Sequence, residues 1–388
     1  MEVQIQDRGW FANRHFSTSP MSNPAGDSGD DMDSDETITT NADLREAETT
    51  MAKLLHDGFE AYRERQFNQA EQLFEALLTL AISVKDHHRE ERAYNGLFLG
   101  YYARHQYEQA LDCARRWLAT TRAHGNWQGQ THALAHWGNA CRHLGQFDRA
   151  IVYQQEALAI ARDMGELDSQ IAILNNLGLT YKAAGDYPNA IVYQRQSLDA
   201  VRQVGDREAE RQVLKNLGNS YYACGDYISA VEYYDQLLRL SYANDDYATA
   251  NQVLRSLASA CRHLGNMQQA INYCKQRLTV TRALKDLRGE EQTLGALGVA
   301  YDAQADYGTA IEYYQQRLTV SRLIPDLDVE LQALASLRVA YYSLGNYAKA
   351  NEYARQREAL VGHSPDDSEV DSSAVETTIG MLSDEAKS

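Results

Sequence analysis

The chain has 388 residues, of which 54 are Asp or Glu and 37 are Lys or Arg, for a formal net charge of −17. That balance disfavours a nucleic-acid binder, which needs a continuous basic stripe, and nowhere do 18 apolar residues run together as a membrane span would require. Five prolines, no long β-branched runs and abundant Ala, Leu, Gln, Arg and Tyr favour helix over a turn-rich sheet.

Residues 1–50 hold eleven acids against three arginines, and the stretch from Ser17 to Asn41 is rich in Ser, Thr, Asp and Gly. So little apolar surface cannot offset the entropy of ordering, and an acidic disordered tail is expected there. The first twenty residues contain Glu2 and Asp7 and no apolar core, so no secretion signal is read. From residue 51 to 362 one beat governs the sequence. Ala70, Ala110, Ala150, Ala190, Ala230, Ala270, Ala310 and Ala350 stand 40 residues apart without insertion, the mark of a solenoid.

Within each period the pattern reads as helix, tight turn, helix. Three residues before the alanine stands a large apolar residue, Phe67 to Tyr347, and three after it comes tyrosine in six repeats, from Tyr153 to Tyr353. Leucine follows at eight after, from Leu78 to Leu318, completing one helical stripe. A small residue among bulky ones lets two helices approach, so the alanine is read as their crossing point. Gly145, Gly185, Gly225, Gly265 and Gly345 lie five before it and suit the left-handed end of a first helix. The Asp or Asn that follows four of these glycines can cap the second helix. Asp86, Asn126, Asp206, Asp246, Asp286 and Asp326 recur between repeats and are read as caps of the next first helix, with Pro325 marking the last break. Arg122, Arg162, Arg202, Arg282 and Arg322 fall where a cation favours a helix C-terminus. A second acidic disordered tail is expected over residues 363–388.

The pattern Leu-Gly-x-x-Tyr, Gly-Asp-Tyr-x-x-Ala, then Tyr and Leu, clearest in residues 177–198 and 217–238, resembles the tetratricopeptide repeat. The 40-residue period is longer than the common 34 and is similar to the long-helix variety of kinesin light chains, spindle adaptors and bacterial regulators. The resemblance covers roughly residues 51–360 and implies an all-α, right-handed superhelical solenoid of eight helix-turn-helix repeats.

Chemistry-bearing motifs are sparse. No glycine-rich phosphate loop, HExxH, nucleophile elbow or EF-hand loop is present, so no catalytic residue and no cofactor is expected. Cys113, Cys141, Cys224, Cys261 and Cys274 are odd in number, form no CxxC pair and fall in expected helices, which suits packing in a reducing, cytoplasmic setting. His132, His136 and His143 are spaced so that imidazoles can approach one another, but no carboxylate or thiol is fixed beside them, and no metal is expected.

The resemblance further implies that first helices line a concave groove. The residues it places there are His132, His136, Asn139 and Arg142, then Asn175, Asn176 and Lys182, then Lys215, Asn216, Asn219 and Tyr222, and finally Arg255 and Arg262. Amides, cations and imidazoles without acids suit an extended acidic peptide, Asn pairing with its backbone and Lys or Arg with its carboxylates. Lys215 and Asn219 match the first pair of the clamp by which cochaperones grip a chaperone's C-terminal carboxylate, but Ser256, Gln292 and Ala296 depart from the rest. An asparagine ladder through Asn176 and Asn216 fits better. The function implied is a protein-binding scaffold or adaptor; a bacterial peptide-sensing regulator and a photosystem or membrane-complex assembly factor are the alternatives.

Overall fold

The computed structural model describes residues 41–362, and these form sixteen helices in eight consecutive hairpins, with no strand among the described residues. In chain order the helices are α1 (Asn41–Arg63), α2 (Phe67–Ser83), α3 (His87–Ala103), α4 (Tyr107–Ala123), α5 (Trp127–His143), α6 (Phe147–Asp163), α7 (Leu167–Ala183) and α8 (Tyr187–Val204). They continue as α9 (Arg207–Ala223), α10 (Tyr227–Ala243), α11 (Tyr247–His263), α12 (Met267–Leu284), α13 (Leu287–Asp302), α14 (Tyr307–Ser321), α15 (Leu327–Ser343) and α16 (Tyr347–Val361). The all-α array of eight repeats read from the period is therefore present. Its first helix begins at Asn41 rather than at residue 51. The remaining expectations for the acidic tails lie outside the described residues.

The framework alanines explain the hairpin. Ala70, Ala110, Ala150, Ala190, Ala230 and Ala310 have no exposed surface, and Ala270 and Ala350 have almost none. Opposite them runs a row of glycines, twelve residues earlier, that seats a side chain from the second helix of the same repeat. A Cβ on Gly138 would stand 2.5 Å from Gln154 Cγ and 3.1 Å from the Ala150 carbonyl oxygen, and one on Gly218 would stand 2.5 Å from Tyr234 Cε1. Where the seated residue shrinks to Ala114, the glycine place is filled by Phe98, so bulk is exchanged within one hairpin. The tyrosines of the stripe stack in pairs across each hairpin: Tyr181 on Tyr193 with centroids 5.3 Å apart, Tyr221 on Tyr233 at 5.2 Å, and Tyr301 on Tyr313 at 5.5 Å.

The turns follow the cap chemistry read from the sequence. Gly145, Gly185, Gly225, Gly265 and Gly345 all have φ between 72° and 84°. Arg65, His105 and Ala305 hold the same left-handed conformation without glycine. Asp86, Asn126, Asp206, Asp246 and Asp286 accept from backbone N–H groups of the following first turn. Asp326 departs from that expectation. Its φ is −153°, it makes no cap bond, and its carboxylate instead accepts from Arg288 at 3.1 Å. Cys224 departs as well, standing exposed just past the end of α9, whereas the other four cysteines are buried.

The described residues divide into two compact units, an N-terminal one ending at Leu237 and a C-terminal one beginning at Leu238, with the boundary inside α10. In the N-terminal unit the first helices α1, α3, α5, α7 and α9 pack successively on one another as well as on their own partners, and so form the inner row. The second helices are joined by longer reach. Arg122 donates to Glu156 at 2.6 Å, Arg162 to Gln196 at 3.0 Å and Arg202 to Gln236 at 2.8 Å. The C-terminal unit repeats that rung once, from Arg282 to Gln316 at 2.9 Å. These arginines thus tie neighbouring repeats together in addition to ending helices. The row lapses where Tyr242 replaces the arginine, and there a hollow of about 260 Å³ opens between Tyr242, Tyr247 and Gln276. No described helix is long and apolar enough to cross a membrane.

Candidate functional site

The inner row places the residues expected to meet a partner at three depths. The deepest on α5 is His136, 3 % exposed, its ring 4.3 Å from Phe98 and 5.5 Å from Trp117. Burial lowers its pKa to about 3 and that of neighbouring His132 to about 4, so both imidazoles are neutral. They serve as aromatic packing. His143 is not gathered with them but stacks on Tyr107, centroids 4.6 Å apart. Arg142 turns toward Tyr102, with Nη2 3.4 Å from its hydroxyl.

The asparagines are mostly sealed as well. Asn216 Nδ2 donates to Asn175 Oδ1 at 2.8 Å, joining α9 to α7 inside the packed row. Gln154 Nε2 donates to Asn139 Oδ1 at 3.1 Å and its Oε1 accepts from Thr180 at 2.8 Å, so a polar chain runs from α5 through α6 to α7. Asn176 is buried, and its Nδ2 has no partner among the described residues. Closing such chains matters because a buried polar group left unmade costs about 1–3 kcal/mol. The next repeat shows the contrast. Gln194 and Ser220 occupy the places of Gln154 and Thr180, and neither Gln194 side-chain atom nor the Ser220 hydroxyl is bonded among the described residues.

Residues nearer the surface of the N-terminal unit are Lys182, Lys215, Asn219 and Tyr222, all half-buried. Asn219 Oδ1 accepts from Tyr234 at 2.7 Å, and the Tyr222 ring meets that of Tyr227 edge-on at 5.2 Å. Burial lowers the Lys182 pKa from its ordinary value.

In the C-terminal unit Arg255 and Arg262 are both exposed on α11. Sequence reasoning missed what lies beneath. Arg277, on the second helix α12 and 7 % exposed, passes up between first helices, donating from Nε to Asn251 Oδ1 at 2.8 Å and from Nη2 to Gln292 Oε1 at 3.5 Å. Its pKa is lowered by burial and by Arg255 nearby. Arg317 repeats the arrangement from α14, with Nε on Glu291 at 2.5 Å and Nη1 on Ser336 at 3.0 Å. Gly295 makes room for it, since a Cβ there would stand 3.1 Å from Arg317 Nε. Above Arg317 lies an open hollow of about 410 Å³ between Gln292, Ala296, Val299 and Gln332. The available signal was the 40-residue recurrence of arginine at a place that earlier repeats fill with Leu77, Trp117 and Ala157.

This arrangement presents cations and amides on first helices. A family model, the tetratricopeptide repeat, matches residues 130–200, 169–243 and 248–323. No curated protein matches the chain by sequence. Among solved structures, the fold is similar to a signal transduction ATPase with a tetratricopeptide repeat sensor from Pyrococcus horikoshii, with TM-score 0.58 and 14% identity over 83% of this chain and 53% of that one. It is similar also to the apo form of RapI, with TM-score 0.56 and 12% identity over 80% of this chain and 97% of that one. The C-terminal part of a tetratricopeptide repeat-containing protein from Cytophaga hutchinsonii matches with TM-score 0.51 and 17% identity over 73% of this chain and 99% of that one. The chain spans about half the length of the archaeal ATPase, and identities this low show the fold alone. Eight 40-residue hairpins crossing at a buried alanine, together with the family match, place this chain in the tetratricopeptide repeat family.

Proposed function

We propose that the protein is a non-enzymatic interaction scaffold that holds an extended acidic peptide or partner segment on its first-helix face, with α11 supplying the main cationic contact. One observation supports this reading above the others. Arg255 and Arg262 stand two turns apart on one face of α11, both exposed, and neither has a hydrogen bond or ion pair among the described residues. The arginines of the second-helix row, by contrast, are engaged by Glu or Gln. Exposed guanidinium groups without a carboxylate are ready for bidentate contact with one from outside. Arg277 beneath adds to the field. In the N-terminal unit Lys182, Lys215, Asn219 and Tyr222 offer the accessible contacts, while Asn139, Asn175, Asn176 and Asn216 stiffen the wall behind them.

The test is capture from native lysate on the full chain, beside the triple variant Lys215→Glu, Arg255→Glu and Arg262→Glu, with circular dichroism to check that helicity is unchanged. The expected result is a protein retained by the wild type, released by salt and lost by the variant. Equal retention by both would move the interaction off this face. A client belonging to a membrane complex would favour the assembly-factor alternative, and retention of a free peptide the sensor alternative.

A further inference from the structure

Near the start of the first helix, twenty residues before the framework alanine, a Glu or Gln recurs as Glu90, Gln130, Gln170, Glu210, Glu290 and Glu330. The glutamines carry no charge and donate to the preceding helix end: Gln130 to the Thr121 carbonyl at 3.4 Å and Gln170 to that of Ala161 at 3.1 Å. Three of the glutamates are met by an arginine from the preceding second helix. Arg202 Nε lies 2.9 Å from Glu210, Arg282 Nε 2.7 Å from Glu290 and Arg322 Nε 2.8 Å from Glu330. Glu90 is the exception. It is 7 % exposed, as deep as Glu210 at 6 %, yet the arginine's place is taken by Ile82, which points to solvent.

What surrounds Glu90 instead is a set of metal-ligating groups. His87, one turn earlier on α3, places Nδ1 3.3 Å from Glu90 Oε2. His124, at the end of α4, stacks on His87 with ring centroids 3.4 Å apart. Thr120 Oγ1 donates to Glu90 Oε1 at 3.0 Å and orients the carboxylate. One ligand atom from each of His87, Glu90 and His124 lies within 4.8 Å of the other two. A buried carboxylate needs a compensating charge, and two imidazoles held face to face repel if both are protonated.

We propose that His87, Glu90 and His124 bind one divalent transition-metal ion of the zinc class, which supplies the positive charge that arginine supplies to Glu210, Glu290 and Glu330. Two imidazoles and a carboxylate are a donor set suited to Zn²⁺. Tetrahedral bonds of about 2.0–2.2 Å put donor atoms roughly 3.4 Å apart, a spacing that His87 Nδ1 and Glu90 Oε2 already have. His124 is exposed at a helix end, where its ring turns at little cost. Thr120 is the outer partner that fixes the carboxylate.

The experiment uses the full chain stripped with chelator, then titrated with ZnCl₂ by calorimetry and with CoCl₂ by visible absorption. The wild type is expected to take up one equivalent and to show a tetrahedral nitrogen–oxygen cobalt spectrum. His124→Ala, at an exposed position, should weaken binding by at least about tenfold, the scale already seen for losing a mere outer-shell partner. Ile82→Arg should weaken it too, by giving Glu90 the cation of its counterparts while leaving every ligand in place. Absence of one-equivalent uptake, equal affinity in His124→Ala, or a thiolate charge-transfer band placing cobalt on cysteine would overturn the assignment.

Discussion

The seventh residue after the framework alanine separates the two units. In the N-terminal unit it is Leu77, Trp117, Ala157, Ser197 and Leu237, all buried, whereas in the C-terminal unit it is Arg277, Arg317 and, exposed in the last repeat, Arg357. The hairpin backbone is the same in both, so the frame tolerates either filling. What differs is the first helices above: Asn251, Glu291 and Ser336 provide acceptors for the guanidinium groups. A charge can stand in a solenoid interior when neighbouring repeats meet it together, because desolvation is then answered by several bonds.

Breaking that arrangement should give the largest effect. Arg317→Ala leaves Glu291 buried without its cation, and a loss of about 3–5 kcal/mol is expected in chemical denaturation. The double change Arg317→Met with Glu291→Leu should recover much of it. If the single and double variants were equally unstable, the ion pair would not be the cause.

Acid should separate the units next. His132 and His136 have folded pKa values of about 4 and about 3, below the value near 6.5 of an unfolded histidine. Above pH 6.5 both states are neutral and the stability is whole. As pH falls from about 6.5 toward 4 the unfolded chain takes up protons first, and each histidine then withdraws about 1.4 kcal/mol of stability for every pH unit descended. Hydrogen exchange should therefore quicken in peptides of α5 before those of α13. His136→Phe should flatten the profile; an unchanged profile would count against neutral buried imidazoles.

The smallest effects sharpen what the units share. Gly218→Ala and Gly298→Ala each push a Cβ into a seated tyrosine, 2.5 and 2.3 Å away. Each should cost about 1–3 kcal/mol in thermal unfolding, alike in both units. Gly100→Ala meets nothing within 4 Å and stands where other repeats carry Ala140, Ala260 and Ala300, so it should stabilise by about 0.5–1 kcal/mol. A destabilised Gly100→Ala would show that the seat, rather than helix propensity, governs that place too.

Much of the frame was legible because alanine, tyrosine and cap residues each answer to a local rule repeated eight times. The alanine crossing, the left-handed turns and most caps are where the period puts them. The inner wall was legible only as positions. The family resemblance assigns Asn175 and Asn216 to the first-helix face, but it does not tell that successive first helices close over them and bond them to each other. The same limit hid Glu90. Its recurrence was in the sequence, while the missing guanidinium and the arrival of His124 from another helix are facts of packing. Arg277 and Arg317 were passed over because a second-helix residue is not expected to surface between first helices.

The lapse at Tyr242 bears on how the array responds to load. Four arginine rungs couple neighbouring second helices, and at Tyr242 the rung to Gln276 is replaced by a hollow. Since each repeat is held only by its neighbours, a tug along the array is borne in series, and the softest coupling stretches before the rest. The chain thus carries built-in compliance where the arginine is replaced, at Ile82 and at Tyr242, as a spring does at its slack coils.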